Sequence, residues 1–415
     1  MLPEILWILP FALLLLSIAV LPLINKHWWE KSYPWVSLGF GLLVFSHYFF
    51  DLKDISALVH AAQEYLGFIV IMGALFTVAG GIHLDVQGEA KPLDNCRFLL
   101  TGAVLANFIG TTGASMILIR PWMRMNKYRL TTYHIVFFIF IVSNIGGGLT
   151  PIGDPPLFLG YLRGVPFFWV LENVWPMWLV ALGILMTVFF ILDSRNFKRA
   201  PKEIRRLETE RREKWRFRGR SNIFFLLVII GAVFINDPPL LREALMILAA
   251  VLSYRLTPKE VHERNDFNFG PIKEVAILFA GIFVTMIPAL QWLEHNATAI
   301  GIRSVGQFFW ASGLLSGALD NAPTYLNFLS AAMGLFGTNV SELVAAHPAH
   351  LRAISVASVF FGAMTYIGNG PNFLVKSIAD HAKAKTPSFF GYIFSYSLPF
   401  LLPTFTIVWF FFFRS

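Results

Sequence analysis

The chain has little cysteine and little charge. Its single cysteine, Cys96, excludes an intrachain disulfide and a metal cage built from cysteines. Charged residues make up 14% of the 415 positions, whereas a soluble domain carries about 25%. The sequence contains no Gly-rich phosphate loop ending in Lys and Ser or Thr, so nothing indicates ATP as an energy source.

Apolar residues are abundant in place of charged ones. They make up 56% of the chain, and the mean hydropathy is +0.62. Runs of about 20 apolar residues, each long enough to cross a bilayer, recur from end to end. The first of them has no basic n-region and no small-residue cleavage site, so we interpret it as a span and not as a signal peptide. We predict ten spans, at 4–24, 34–50, 64–85, 132–163, 168–193, 221–236, 241–255, 273–293, 351–380 and 388–412.

Two further apolar stretches are interrupted at their middles. The stretch 96–120 contains GTTG at 110–113, and the stretch 304–336 contains DNAP at 320–323. We predict that both are re-entrant helical hairpins, which enter and leave by the same membrane face. The alternative is that each is an ordinary span with a kink.

The positive charge of the chain is local. Residues 195–220 contain 12 Lys and Arg against 4 Asp and Glu, a net charge of +8 that equals the net charge of the whole chain. This distribution does not indicate nucleic-acid binding; it is the positive-inside signal and predicts a cytoplasmic loop. The remaining Lys and Arg fall on the same side only if both interrupted stretches are hairpins. The loop itself is either an amphipathic surface helix or a solvated linker.

Two segments of the chain resemble each other. TPIGDPPLFL at 150–159 corresponds to TYIGNGPNFL at 365–374, and the hairpin tips align as GTT at 110–112 with DNA at 320–322. The basic linker, 194–220, therefore separates a first repeat, 1–193, from a second, 221–415. Each repeat has five spans and one hairpin, so the second begins on the opposite face. We predict an all-α polytopic membrane protein with two inverted repeats and two broken helices.

Matched breaks in mid-membrane indicate a binding site, because broken backbone is tolerated only where it lines a cavity or packs in protein. Their hydroxyl, amide and carboxylate groups are hard oxygen ligands that suit Na⁺. The main candidates for Na⁺ ligands are Asp154, Asp320, Asn321 and Asn369. The full set of candidate ion-binding residues is Asp154, Asp320, Asn321, Thr324, Thr111, Thr112, Ser115, Asn144, Thr150, Thr365, Asn369 and Asn372.

The two acids have a simpler interpretation as helix caps. Asp154 precedes Pro-Pro, and Asp320 stands three residues before Pro323, both typical of helix N-termini. Against capping alone, an ionisable residue inside a membrane is expensive and indicates a functional site. Two carboxylates would repel a dicarboxylate and favour a cation that competes with protons. We interpret His83, His134 and Arg163, near span ends, as satisfied interfacial residues.

The motifs resemble those of a known group. SNIGGGLTPIGDPP at 143–156 and LDNAPT at 319–324 are similar to the paired motifs of the ion transporter superfamily, most of all to NhaD-type sodium/proton antiporters and ArsB-type arsenite permeases. The wider group includes citrate and divalent-anion symporters. Divalent-anion members carry Ser-Asn-Thr at both tips, whereas this chain has TTG at 111–113 and DNA at 320–322. The resemblance implies elevator-like alternating access and a homodimer.

We therefore predict a secondary active transporter of the bacterial inner membrane that exchanges Na⁺ for H⁺. Its partners are small ions and the bilayer, without nucleic acid, and it needs no cofactor beyond the transported Na⁺ and H⁺. The alternative is a sodium- or proton-coupled carrier of an organic anion or oxyanion, of the citrate, dicarboxylate or arsenite type. A membrane enzyme is not favoured, since we find no nucleophile–base pair. A channel is not favoured either, because inverted repeats favour alternating access.

The charge distribution predicts the topology. In a background without Cys96, a cysteine placed within 195–220 should react with a thiol reagent only from the cytoplasm, because positive loops stay inside. Cysteines at either terminus should react only from outside. A terminus that is labelled only from inside would contradict the hairpin assignment.

Overall fold

The computed structural model describes residues 6–87, 91–199, 214–235 and 237–414. The predicted α-helical membrane class is confirmed, since most of the described chain is helical and several of its helices are long and apolar. Residues 200–213, the middle of the basic linker, lie outside the described residues. The choice between an amphipathic helix and a solvated linker there therefore stays a prediction. The helices are α1 (Leu9–Ile24), α2 (Lys26–Ser46), α3 (Ile55–Gly80), α4 (Pro92–Met125), α5 (Thr132–Ile141), α6 (Pro155–Leu162), α7 (Trp169–Arg199), α8 (Ser221–Ala232), α9 (Leu241–Leu256), α10 (Lys259–Arg264), α11 (Gly270–Thr285), α12 (Ile287–Ile300), α13 (Val305–Ala318), α14 (Asn321–Phe336), α15 (Val340–Ala346), α16 (Pro348–Phe361), α17 (Gly370–His381), α18 (Phe389–Tyr392) and α19 (Leu402–Phe412).

A short ribbon interrupts the helices. Strand β1 (His83–Gln87) pairs antiparallel with β2 (Lys214–Arg218). The predicted span 64–85 is therefore wrong at its end, because α3 stops at Gly80. Side chains from the second half of the chain stabilise this ending: Asn265 donates to the carbonyl of Gly80 at 2.8 Å and Asn222 to that of Gly81 at 2.7 Å. Neither alternative for the linker included a strand at its end.

The first interrupted stretch folds back on itself. α4 breaks at Gly110, whose φ of 74° belongs to the left-handed region that favours glycine. In a straight helix the side chains of Asn95 and Asn126 would lie about 46 Å apart, yet Nδ2 of Asn95 donates to Oδ1 of Asn126 at 2.7 Å. The rings of Phe98 and Trp122 are 5.5 Å apart, centre to centre. The two arms therefore pack side by side, which a single kinked span does not allow.

The second interrupted stretch has the same shape. α13 ends at Ala318 and α14 begins at Asn321. The rings of Phe308, ten residues before Ala318, and Phe328, seven residues after Asn321, are 6.2 Å apart. The predicted bounds of 304–336 lie within one residue of these two helices.

Both predicted breaks are present. A 3₁₀ turn at Ile145–Gly147 and an extended turn separate α5 from α6, and a 3₁₀ turn at Gly362–Met364 separates α16 from α17. Each break doubles back so tightly that two glycine backbones touch. A Cβ on Gly153 would lie 2.1 Å from the carbonyl oxygen of Gly147, and a Cβ on Gly368 would lie 2.6 Å from that of Gly362.

Burial separates inner from outer helices. Every residue from His134 to Ile141 of α5 is buried, which is typical of a helix enclosed on all sides. Leu16 on α1, Leu248 on α9 and Phe411 on α19 are instead more than half exposed, as expected of surfaces that face lipid. Within the described ranges, four helical stretches are long and apolar enough to span a membrane, or up to six with bent pairs. One of the four is α4, which folds back. The count of ten spans and the division into inverted repeats stay predictions.

The glycine contact predicts which substitutions the breaks tolerate. Gly153→Ala should destabilise the protein by about 1–3 kcal/mol, because the new methyl group overlaps a carbonyl that cannot move without opening the turn. The melting temperature in detergent measures this. Gly183→Ala is the control, since a Cβ there meets nothing within 4 Å. Equal melting temperatures for the two variants would contradict the close approach.

Candidate functional site

The centre of the site is the Asp154 side chain, which stands just before α6 and is 1% exposed. Its Oδ1 accepts hydrogen bonds from Oγ1 of Thr111 at 2.7 Å and from Nδ2 of Asn369 at 2.9 Å. Its Oδ2 accepts from Nδ2 of Asn321 at 2.7 Å. Both hairpin tips and both breaks thus contribute one side chain each to a single cluster.

Backbone hydrogen bonds hold the tips against the breaks. The amide of Thr111 donates to the carbonyl of Gly153 at 2.8 Å, and the amide of Asn321 donates to the carbonyl of Gly368 at 3.2 Å. These two contacts join residues that correspond in the predicted register of the two repeats. The first tip therefore docks next to Asp154, and the second tip docks next to Asn369, whose amide faces Asp154.

A chain of asparagines fixes the orientation of the Asn369 amide. Its Nδ2 also lies 3.1 Å from Oδ1 of Asn144, whose own Nδ2 donates to Oδ1 of Asn372 at 2.6 Å. Asn372 in turn donates to the carbonyls of Gly362 and Thr365, both at 2.8 Å. Because Asn372 donates to two carbonyls, its oxygen accepts from Asn144, and the oxygen of Asn144 accepts from Asn369. The nitrogen of Asn369 therefore faces Asn144 and the carboxylate.

Asp154 occupies the N-cap position of α6, but its side chain accepts no hydrogen bond from the first turn of that helix, so capping does not explain the carboxylate. Asp320 does cap its helix: it accepts from the amide of Ala322 at 3.0 Å and is only half-buried. Its charge is nevertheless within electrostatic reach of Asp154. A role for Asp320 as a sodium ligand stays a prediction.

The cluster leaves the charge of Asp154 unbalanced. Every hydrogen-bond partner of its carboxylate within the described chain is neutral, and no described Lys, Arg or His pairs with it. An isolated buried carboxylate is costly and is normally protonated or paired. Oδ1 of Asn321 is also buried and has no hydrogen-bond donor in the described chain. A proton or a small cation would balance the carboxylate, and a cation would also give the Asn321 oxygen a partner.

The other candidates lie around this cluster. Oγ of Ser115 is 2.7 Å from Oγ of Ser143. Thr150 and Thr365 brace the two turns, because each hydroxyl accepts the amide of the glycine three residues on, at 3.1 and 3.0 Å. Thr324 bonds to the carbonyl of Asp320 in its own helix at 2.8 Å. Thr112 is half-buried and makes no hydrogen bond to Asp154.

Sequence reasoning missed Asn107. This residue is 5% exposed and lies near the tip of the first hairpin. Its Nδ2 donates to the carbonyl of Gly146 at 2.7 Å, and its Oδ1 accepts the amide of Leu149 at 2.9 Å. It supplies partners for the backbone of the first break. An amide inside an apolar run was the signal that could have identified it.

A second buried carboxylate was missed and has the opposite environment. Asp193 on α7 is buried, like Asp154, but it pairs with Arg129 and lies 3.0 Å from Nε2 of His134. Nδ2 of Asn95 donates to it at 2.8 Å. This cluster fastens the open end of the first hairpin to α7, and it places His134 in a fully paired setting, in line with the prediction for that residue.

A large basic cavity lies between α4, α17 and the turn before α11. Its volume is about 1200 Å³, and we call it the basic vestibule. Met116 and Leu374 are among its lining residues, and they come five residues after the site residues Thr111 and Asn369. The vestibule therefore leads from the surface towards the site. Its cationic lining consists of Arg120, Arg124, Lys127, Arg264, Lys383 and Lys385.

Comparison with known proteins agrees with a transport function. The chain is 26% identical over 315 residues to an uncharacterized transporter of Mycobacterium tuberculosis, covering 71% of each protein. It is 24% identical over 320 residues to a 46 kDa membrane protein of Mycobacterium leprae, covering 71% of this chain and 72% of that protein. Another uncharacterized transporter of M. tuberculosis is 25% identical over 344 residues, or 77% of this chain and 78% of that protein.

A family description covers almost the whole chain. The family described as "Putative citrate transport" matches residues 2–413. This agrees with the citrate-carrying members of the wider group that the motifs resemble, whereas the narrower resemblance to NhaD-type antiporters stays a prediction. The protein is a multi-pass membrane transporter, and it belongs to the family described as "Putative citrate transport".

Proposed function

We propose that this transporter exchanges Na⁺ for H⁺ and that Asp154 carries both ions in turn. The observation that carries the proposal is a fully buried carboxylate whose hydrogen-bond partners are all neutral. Because such a charge requires compensation, the site is expected to hold either a proton or a cation at every stage. One site with two competing occupants couples the two fluxes without any long-range signal.

The donors around Asp154 suit both occupants. The hydroxyl of Thr111 donates when the carboxylate is charged and accepts when Oδ1 is protonated, since a hydroxyl is both donor and acceptor. The amide of Asn321 donates to Oδ2 in this structure, while its free oxygen is a hard ligand for Na⁺. Protonation would therefore change the role of Thr111, whereas Na⁺ would also give the Asn321 oxygen, which has no donor in the described chain, a partner.

The same geometry supports alternating access. The site is assembled from two tips and two breaks that hydrogen-bond to one another, so it would move as a unit and keep its ligands together. We therefore keep three predictions from the sequence as part of this proposal. They are an elevator-like movement, a homodimer, and a location in the bacterial inner membrane with external termini.

A cation-coupled carboxylate carrier is the second candidate. The basic vestibule favours it, because a cleft lined by positive charge concentrates anions. The description of the family favours it as well. In this second candidate mechanism, the ion on Asp154 would neutralise the site before a citrate-like anion approaches the hairpin tips.

Removal of the central charge separates these candidates from a purely structural role. Asp154→Asn keeps the size of the side chain, so the protein should fold but lose Na⁺-driven proton movement in proteoliposomes. In the wild type, apparent Na⁺ affinity should fall by up to about tenfold per unit decrease in pH where protons compete for the carboxylate. Asp320→Asn tests the second acid in the same assay.

Asp94→Asn serves as the control for that experiment, because Asp94 lies on the first hairpin but at its polar end, beside Arg97. Wild-type exchange by the Asp154 and Asp320 variants alike would contradict cation antiport. Flux that only a citrate-like anion drives would replace it with the second candidate.

Thr111 gives a finer test of the coordination. Thr111→Val removes the hydroxyl that donates to Asp154, and loss of a partner of an ion ligand typically weakens affinity by about 10–100-fold. Thr111→Ser keeps the hydroxyl and should bind Na⁺ nearly as the wild type does. Isothermal titration with NaCl against choline chloride measures both. Equal affinities for the Val and Ser variants would show that the hydroxyl plays no part.

A further inference from the structure

The cleft that forms the basic vestibule has a smaller counterpart at the other end of α3. Phe76, near the end of α3, lines the vestibule, whereas Glu64, near its beginning, lines a cavity of about 280 Å³. The two residues are 12 positions apart, or about 18 Å along a helix. The smaller cavity also touches Arg163, directly after α6, and Gln291 and Glu294 on α12.

An ion pair closes the smaller cavity on its inner side. Nη2 of Arg163 donates to Oε2 of Glu64 at 3.0 Å, and Nε of Arg163 contacts Oε1. His60 approaches the same carboxylate from α3, with its Nε2 3.2 Å from Oε1. Glu64 is 7% exposed, so this ion pair is largely shielded from water and is screened less than a surface pair.

The pair joins the site to a helix outside it. α6 carries Asp154 directly before its first residue and Arg163 directly after its last. α3 packs against α9, α11 and the first hairpin α4, and it also contacts α6. The ion pair between Arg163 and Glu64 therefore adds a charged contact to the packing of α3 against the short helix that begins at the buried carboxylate.

The corresponding place in the second half of the chain has no ion pair. In the predicted register, which relates Thr150 to Thr365, Arg163 corresponds to Ile378. Ile378 lines the basic vestibule, where the cleft is open. The structure therefore has a wide cleft where this position is apolar and a narrow cleft where it is an arginine paired with Glu64.

We propose that the Glu64–Arg163 pair is a latch that keeps the site closed towards the smaller cavity. The inference rests on the alternating access of the proposed function, because a latch matters only if the site opens to both faces. In the opposite state α6 withdraws from α3, the pair separates and the small cavity widens. A buried ion pair is better suited to selecting between two arrangements than to adding net stability.

The test measures opening without measuring transport. Cysteine reporters are placed in a Cys96→Ala background at Leu290, which is 7% exposed in the small cavity, or at Met123, which is 8% exposed in the vestibule. A membrane-impermeant thiol reagent is applied from each side of vesicles. The latch is removed with the double variant Glu64→Gln and Arg163→Met, which leaves no unpaired buried charge and so favours folding.

The double variant should raise the labelling rate of the Leu290 reporter by about tenfold, which corresponds to about 1.4 kcal/mol. It should slow the labelling of the Met123 reporter. Glu243→Gln is the matched control, since it removes the carboxylate of another buried ion pair, Arg242–Glu243 at 2.6 Å on α9, while the Glu64–Arg163 pair stays intact, and it should leave both rates unchanged.

Unchanged rates in the double variant would overturn the latch, even if Na⁺-driven proton movement proceeds normally. Shifted rates in a protein that shows no Na⁺-driven proton movement would support the latch and reject sodium/proton exchange. The two failures are therefore distinguishable.

Discussion

The arrangement of the site depends on one buried carboxylate that receives only neutral hydrogen bonds. Asp154 collects one donor from each hairpin tip and one from the second break. Two features bring these donors within hydrogen-bond distance of the carboxylate. Glycine backbones contact each other closely at each break, and a backbone amide of each tip donates to a carbonyl of a break. Each of the four interruptions of helical structure costs backbone hydrogen bonds. The carboxylate at their centre gives a reason why all four lie at the same place.

Three buried acids in this chain show how the surroundings determine their roles. Asp193 pairs with Arg129 and His134 and fastens a hairpin to α7. Glu64 pairs with Arg163 and joins α3 to the end of α6. Asp154 has no cationic partner in the described chain. A paired carboxylate is satisfied by protein and stays as it is, whereas an unpaired one must take its counter-charge from solution. This difference makes Asp154 the candidate for an ion carrier.

Much of the site could be predicted because its elements repeat in the sequence. Aligning 150–159 with 365–374 identified Asp154 and Asn369, and the interrupted stretches identified Thr111 and Asn321. What failed needed three-dimensional partners. Capping by Asp154 and by Asp320 looked alike in sequence, yet only Asp320 bonds to its own helix. The anchor at Asp193 was missed because Asn95, Arg129 and His134 are far from it in sequence.

The class of the protein, the two hairpins and the two breaks could be predicted from the sequence. Hydrophobic length, the placement of Gly and Pro, and local charge are properties of consecutive residues, so they can be read without a fold. Which polar groups face one another depends on how the helices pack. Packing assigned the three donors to Asp154, paired Glu64 with Arg163, and left one cleft wide and the other narrow, because each of these contacts joins residues that are far apart in the sequence.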